Sequence, residues 1–368
     1  MEFTVSKSDL VKELNLSQGV VEKKTTIPIL SNVLVETSED RIILTATDLE
    51  LGIRCSCPAK VQRPGAGTIP ARRLLDYVRL LPDADVSVKL ADNQWASLLC
   101  GRSRTRIAGM SRESFPELPE MPEKVADLPV KALVSMISKT IFAISTEESR
   151  FTLNGALLLV KNKGLTMVAT DGHRLSMVEY EIPFPDIAGS YRALLPRKAM
   201  GEILKLASEA APDSVIAFAG DDNHLFFQLG GRLLLCRKLT GNFPDFERVL
   251  PKEHPHSVTL VRDELKGAIE RVSQFADDVE VGPPRLRRSG DIPKGGRTRV
   301  GIDRAERSDP DREELHAARL LAKKLNGFLE RFCGGGGWER RLGQYFVRSR
   351  AQCADELGAP GFNSSIQR

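Results

Sequence analysis

The chain repeats itself, and that constrains its fold more than any other property. LSNVLVETSEDRIILTATDLELGI at 30–53 resembles LNGALLLVKNKGLTMVATDGHRLSMV at 153–178, with Leu30 and Asp48 each lying 123 positions before Leu153 and Asp171. TIPARRLLDYVRLL at 68–81 resembles LLPRKAMGEILKL at 194–206, Pro70 preceding Pro196 by 126. GRSRTRIAGMSRESFPEL at 101–118 pairs with GRLLLCRKLTGNFPDF at 231–246, and Phe115-Pro116 precedes Phe243-Pro244 by 128. Three blocks in one order, at slowly drifting offsets, read as a tandem duplication of a domain.

Each unit follows one plan. It opens on an amphipathic helix, SDLVKELNLSQGVV at 8–21 and VKALVSMISKTIFAI at 130–144. In the second, Leu133, Val134, Met136, Ile137, Thr140 and Ile141 form an apolar stripe at helical spacing. Strands with alternating or short apolar runs follow, then a second helix behind Pro70 or Pro196, where proline suits a helix start. More strands and a Phe-Pro turn close the unit. The expected fold class is α+β, tandem repeats of a two-helix, antiparallel-sheet domain. The expected boundaries are 1–122 and 123–253.

A third copy begins and stops. HSVTLVRDELKGAIERVSQFA at 256–276 matches the opening helix, with Leu10, Leu133 and Leu265 in register. Residues 254–277 are read as the first helix of an incomplete third repeat. Beyond it, 278–368 hold 15 Arg and 13 Gly with few β-branched or aromatic residues, a composition that reads as loop-rich or disordered. One amphipathic stretch, 313–332, reads as a helix. The abrupt switch has the composition of a changed reading frame in a GC-rich gene; a genuinely diverged C-terminus is the alternative.

Charge has to be divided before it is used. Residues 278–368 carry 18 basic and 13 acidic side chains, the rest of the chain 35 and 36. The repeated body is near neutral, so a nucleic-acid argument must come from where the bases sit. Six cysteines, Cys55, Cys57, Cys100, Cys236, Cys333 and Cys353, make no CxxC pair and have no histidine at ligand spacing. They read as reduced thiols, mostly buried in strands, with no metal and no cofactor expected. No apolar run reaches membrane-spanning length and the N-terminus lacks a signal peptide, so a cytoplasmic location is expected.

VATDGHRLSMV at 168–178 places Asp171, His173 and Arg174 within four positions, which invites an acid/base reading. The equivalent segment of the first unit, TATDLELGI, keeps the aspartate and lacks the histidine and arginine. A catalytic group needs a nucleophile and an oriented base. The repeat therefore favours a turn-forming aspartate at a strand end, with the second copy's extra residues free for partner recognition.

The strings FTVSKSDL, TIPILSNVL, TATDLELGI, TIPARRLLDY, FPELP, VATDGHRLSMV, PRKAMGEIL and GNFPDFERVLPK resemble the bacterial DNA polymerase III sliding-clamp family, the beta subunit, over roughly 1–276. The resemblance implies the DNA clamp fold and a non-catalytic processivity factor. It implies head-to-tail homodimers of three-domain subunits closed around double-stranded DNA, with helices lining the hole. Partners would be the replicative polymerase, the clamp loader and repair polymerases, bound through short linear peptides. Basic residues on the helices and one loop are then expected to face DNA: Lys24, Arg72, Arg73, Arg79, Lys131, Lys139, Arg197, Lys198, Lys205 and Lys266, with Lys12, Lys23 and Arg262 nearby. Each polar helix face is mixed but tilts basic, Glu202 included on that of the helix behind Pro196. The matching peptide-cleft positions are Leu153, Thr170, Gly172, His173, Arg174, Leu175, Pro244, Arg248 and Val249. The incomplete third repeat departs from the family and puts ring closure in question, leaving a two-domain peptide-binding module as the alternative.

Overall fold

The computed structural model describes residues 1–21, 26–147, 149–185, 187, 189–211, 213–250, 257–260, 263, 266–267, 337–341, 344–351 and 364–367. The first unit runs β1 (Glu2–Ser6), α1 (Lys7–Val20), β2 (Asn32–Ser38), β3 (Arg41–Thr47), β4 (Leu51–Pro58), β5 (Lys60–Arg63), β6 (Ala66–Pro70), α2 (Ala71–Leu80), β7 (Asp85–Leu90), β8 (Trp95–Cys100) and β9 (Ser103–Ala108). The second runs β10 (Lys124–Pro129), α3 (Val130–Thr140), β11 (Gly155–Lys161), β12 (Gly164–Thr170), β13 (Arg174–Tyr180), β14 (Ser190–Pro196), α4 (Arg197–Ala207), β15 (Val215–Gly220), β16 (His224–Leu229) and β17 (Arg232–Arg237). Except for β5, the two inventories correspond element for element.

Local sequence accounts for the alternation of strand and helix. Pro70, Pro129 and Pro196 each end a strand and cap the helix that follows. A fixed φ and a missing N–H disfavour further strand pairing and cost nothing in a helical first turn. On α2, Ala71, Leu74, Leu75 and Val78 are buried while Arg72, Arg73, Asp76 and Arg79 are exposed. The opening helix of the second unit is shorter than its apolar stripe, because a 3-10 turn takes over at Ile141–Ala143.

The strands form antiparallel half-sheets that join across the units. In the eight-stranded sheet β10-β15-β16-β17-β4-β3-β2-β6, β17 of the second unit pairs antiparallel with β4 of the first, from Arg232↔Cys55 to Cys236↔Leu51. The other half-sheet of unit one, with β5 added, is β5-β1-β7-β8-β9. In unit two, β14-β11-β12-β13 carries apolar side chains on both faces. Leu158, Val160, Met167 and Ala169 face the main core, while Leu157, Leu159, Val168 and Met177 form a second cluster on the outside with Phe243 and Phe246.

Helices α1 and α2 pack together, as do α3 and α4, and α1 meets α4 across the units, so the four make one layer. The α1–α4 contact is close: a Cβ on Gly19 would lie 2.2 Å from Glu202 Oε2. Glu202 is consequently buried rather than on the open face of α4, which corrects the sequence reading. The junction also holds a forked ion pair. Arg232 Nε and Nη2 donate to Glu13 at 2.9 and 2.7 Å, and Nη2 also reaches Glu209 at 2.9 Å. This planar two-point geometry suits a guanidinium and a half-desolvated carboxylate.

In its described part the C-terminal region opens with a strand and helical residues, as the other units do, and then leaves the repeat's plan. Beyond β18 (Ser257–Leu260), the described strands are β19 (Gly337–Arg341), β20 (Gln344–Ala351) and β21 (Ser364–Gln367), where composition had pointed to loop. Strand β13 is the counterpart of β4, yet its edge is taken by β20 in parallel, Arg174↔Tyr345 to Tyr180↔Ala351, not by an antiparallel strand as in β4–β17. The proposed helix at 313–332 and most of the 254–277 helix lie outside the described residues.

Candidate functional site

The turn between β3 and β4 and the turn between β12 and β13 are one device used twice. In unit one, Thr47 Oγ1 donates to the Leu51 carbonyl at 2.9 Å and accepts from Leu49 N at 3.0 Å. Asp48 Oδ1 accepts from Glu50 N and Leu51 N at 2.9 and 2.6 Å. In unit two, Thr170 Oγ1 donates to the Arg174 carbonyl at 2.7 Å and accepts from Gly172 N at 3.0 Å. Asp171 Oδ1 accepts from His173 N and Arg174 N, both at 2.9 Å. Aspartate is suited to this because its short side chain mimics a turn of backbone.

The copies differ in what they display. At the third position the backbone has positive φ, +90° at Gly172 and +76° at Leu49. Glycine adopts that conformation freely, whereas a leucine there carries strain of about 1–2 kcal/mol. The free Asp48 Oδ2 takes Lys198 of α4, joining the units. The equivalent oxygen of Asp171 takes Nε of Arg174 at 2.9 Å, and the guanidinium lies 5.7 Å from the centroid of Phe142. Arg150, whose Nη1 donates to the Asp171 carbonyl at 2.9 Å, braces the same turn. Nothing in the sequence marked Arg150 or Phe142.

Around this turn the expected cleft residues come together only in part. Leu175 is buried in the outer cluster with Phe243 and Phe246, and Leu153 packs against its edge. Thr170 is buried and spends its hydroxyl on the turn. His173 and Gly172 are exposed, as are Pro244, Arg248 and Val249, with Arg248 held to Asp245 at 2.7 Å. Phe243 and Phe246, which the sequence reading did not place here, are buried in the same apolar cluster as Leu175. Their signal was the FPDF spacing, read only as a turn.

Asp171 is engaged by its own turn and by Arg174, and among the described residues only the backbone N–H of His173 is held, by Asp171 Oδ1. Among the described residues no group of three acid, histidine or cysteine side chains is placed to hold a metal. Cys55, Cys57, Cys100 and Cys236 are buried and free. Burial, with Glu13 and Asp9 nearby, pushes the Cys57 thiol up to about 12, and burial does the same for Cys236. Thiolate chemistry is suppressed there. No helix among the described residues is long and apolar enough to cross a membrane.

The helix layer displays most of the expected basic residues. Lys12, Arg72, Arg73, Arg79, Lys131, Arg197, Lys198 and Lys205 are exposed. Several are held by local partners: Arg72 by Asp76 at 3.7 Å, Lys131 by Asp213 at 3.2 Å, Lys205 by Glu202 at 2.7 Å, and Arg79 by Asn15. Lys139 is a correction. It is only 9% exposed, because the last turn of α3 packs on β13 and Ser176 Oγ donates to the Lys139 carbonyl at 2.5 Å. Lys266 is half-buried, and Lys23, Lys24 and Arg262 lie outside the described residues.

Comparison with known proteins places this architecture. The profile of the DNA polymerase III beta subunit N-terminal domain matches residues 1–119, and that of its central domain matches 127–245. The beta sliding clamp of Chlamydia muridarum is 35% identical over 280 residues, 76% of this chain and 75% of the relative. That of Caulobacter vibrioides (strain NA1000 / CB15N) is 36% identical over 285 residues, 75% of each. Among solved structures, a Pseudomonas aeruginosa sliding clamp bound to griselimycin superposes with a TM-score of 0.70 at 32% identity, covering 76% of this chain and 75% of that one.

Proposed function

This chain belongs to the DNA polymerase III beta-subunit family, the beta sliding clamps, and from that premise we propose that it is a non-catalytic processivity factor that tethers the replicative polymerase to duplex DNA in the cytoplasm. The layer of four helices is its DNA face. Arg72, Arg73, Arg79, Lys131, Arg197, Lys198 and Lys205 contact phosphates without reading bases, as sliding requires. Arg72 and Lys131, held by the exposed acids Asp76 and Asp213, exchange those partners for phosphate, releasing counterions from the DNA.

The turn at 170–174 and its outer cluster receive short peptides of the polymerase, the clamp loader and repair polymerases. One observation carries this: the second copy of a shared turn fixes a cation, Arg174, beside an apolar floor of Leu153, Leu175, Phe243 and Phe246. His173, Pro244, Arg248 and Val249 complete the rim. Apolar lining with a few fixed polar groups is the usual make-up of a peptide site, and the cationic rim selects peptides with a carboxylate next to an apolar side chain. That a clamp of this fold binds griselimycin supports a ligand site on it.

A second reading, a peptide-binding module that does not encircle DNA, is favoured by the parallel β13–β20 pairing in place of a third repeat. Sedimentation of the full chain, with its retention on nicked circular and linearised plasmid, separates the two. A dimer that stays on circles and leaves linear DNA supports the closed clamp. A monomer lost equally from both supports the second reading.

A further inference from the structure

The first unit has a cavity of about 440 Å³ at the turn that corresponds to the peptide-binding turn of the second. Its wall is made by Leu51 and Leu118 of unit one and Leu235 of unit two, so it lies on the junction created by the β4–β17 pairing. The volume falls within the ~300–1,000 Å³ typical of ligand pockets.

Two features of the rim are not required by the fold. Leu49 sits at φ +76°, where the other copy has glycine, and it is 54% exposed at the cavity mouth. A bulky apolar side chain that is both strained and half in water satisfies neither backbone nor solvent, and such positions concentrate at binding sites. The second feature is charge. Apart from His224, which is held by Asp221 at 3.2 Å, the charged lining residues are both acids, Glu50 and Glu117. Neither makes an ion pair among the described residues. At the matching place in unit two the displayed residues are His173 and Arg174, so the two sites have opposite character on the same frame.

We propose that this cavity is a second docking site, for a short linear peptide that places one apolar side chain between Leu49 and Leu118 and a lysine or arginine beside Glu50 and Glu117. The cavity and its rim carry this assignment. The second unit supplies only the comparison, and the assignment does not depend on what that unit binds.

The test uses the full chain and two fluorescein-labelled hexapeptides, Gly-Lys-Leu-Leu-Lys-Gly and Gly-Glu-Leu-Leu-Glu-Gly, titrated by fluorescence anisotropy. The lysine peptide is expected to bind, to lose at least tenfold in affinity when Glu50→Lys and Glu117→Lys are combined, and to be unaffected by Arg174→Ala. Leu49→Gly, which the backbone accepts, guards against misfolding and should weaken the lysine peptide at least threefold with an unchanged melting temperature. No binding of the lysine peptide, binding indifferent to the charge reversal, or loss with Arg174→Ala would each overturn the proposal. The last result would assign the peptide to the second unit instead.

Discussion

The turns at 47–51 and 170–174 share their hydrogen bonds residue for residue and differ in everything those bonds leave free. Threonine and aspartate build the frame in both. The remaining three positions are Leu49, Glu50 and Leu51 in one, and Gly172, His173 and Arg174 in the other. In the first, the aspartate's second oxygen is spent on a lysine of the neighbouring unit and holds the junction. In the second, it orients an arginine on the surface. Duplication thus preserved a structural device and separated what it presents, so a repeated motif should be read for its differences once its common part has been explained.

The largest expected effect tests the common part. Asp48→Ala and Asp171→Ala each remove an acceptor of two backbone N–H groups plus a cation, and each should lower stability by about 3 kcal/mol. The measurement is the denaturant midpoint at unchanged slope, and a loss at one turn without the other would break the equivalence. Breaking the junction itself should be comparable: Arg232→Ala strands the buried Glu13 and should lower stability by about 3 kcal/mol. The third position is next. Gly172→Leu should destabilise by about 2 kcal/mol, since a Cβ there also meets Arg150 Nη1 at 3.0 Å. Leu49→Gly should stay within about 0.5 kcal/mol of wild type, relieved strain offsetting the greater freedom of unfolded glycine.

A smaller effect concerns the helix layer. For each of Arg72→Ala, Lys198→Ala and Lys205→Ala, the slope of log affinity for duplex DNA against log salt should fall by about 1. Lys139→Ala, at a buried position, should leave that slope unchanged. A separate effect, on pH dependence, lies in the core beside the junction. With folded values near 12 against an unfolded 9.0, Cys57 and Cys236 favour folding below pH 9, and that contribution is lost as pH rises towards 12. Mass-mapped alkylation of the native chain at pH 9 should leave both unmodified.

Repeat, helix starts and turn chemistry were all legible because they are local: periodicity, proline and an Asp two or three residues from the N–H groups it accepts. What was not legible depends on packing between segments far apart. Lys139 and Glu202 have ordinary polar spacing on their helices, and only the close approach of α3 to β13 and of α1 to α4 buries them. Arg150 reaches the site from a loop and Phe142 from the 3-10 turn that ends α3, neither with a motif of its own. Phe243 and Phe246 were visible as letters, but an apolar cluster on the outer face of a sheet shows itself only when β11 and β12 are seen to be apolar on both sides. The different character of the two rims was present in the text from the start, as Glu50 against His173 and Leu51 against Arg174.

Anisotropy of the labelled hexapeptide Gly-Glu-Leu-Leu-Glu-Gly on wild type and Arg174→Ala, with melting curves for both, tests the central claim most directly. If the second copy of the turn exists to present a fixed cation beside an apolar floor, the variant melts normally and loses at least tenfold in affinity, about 1.4 kcal/mol. Equal affinity in the two proteins would contradict it.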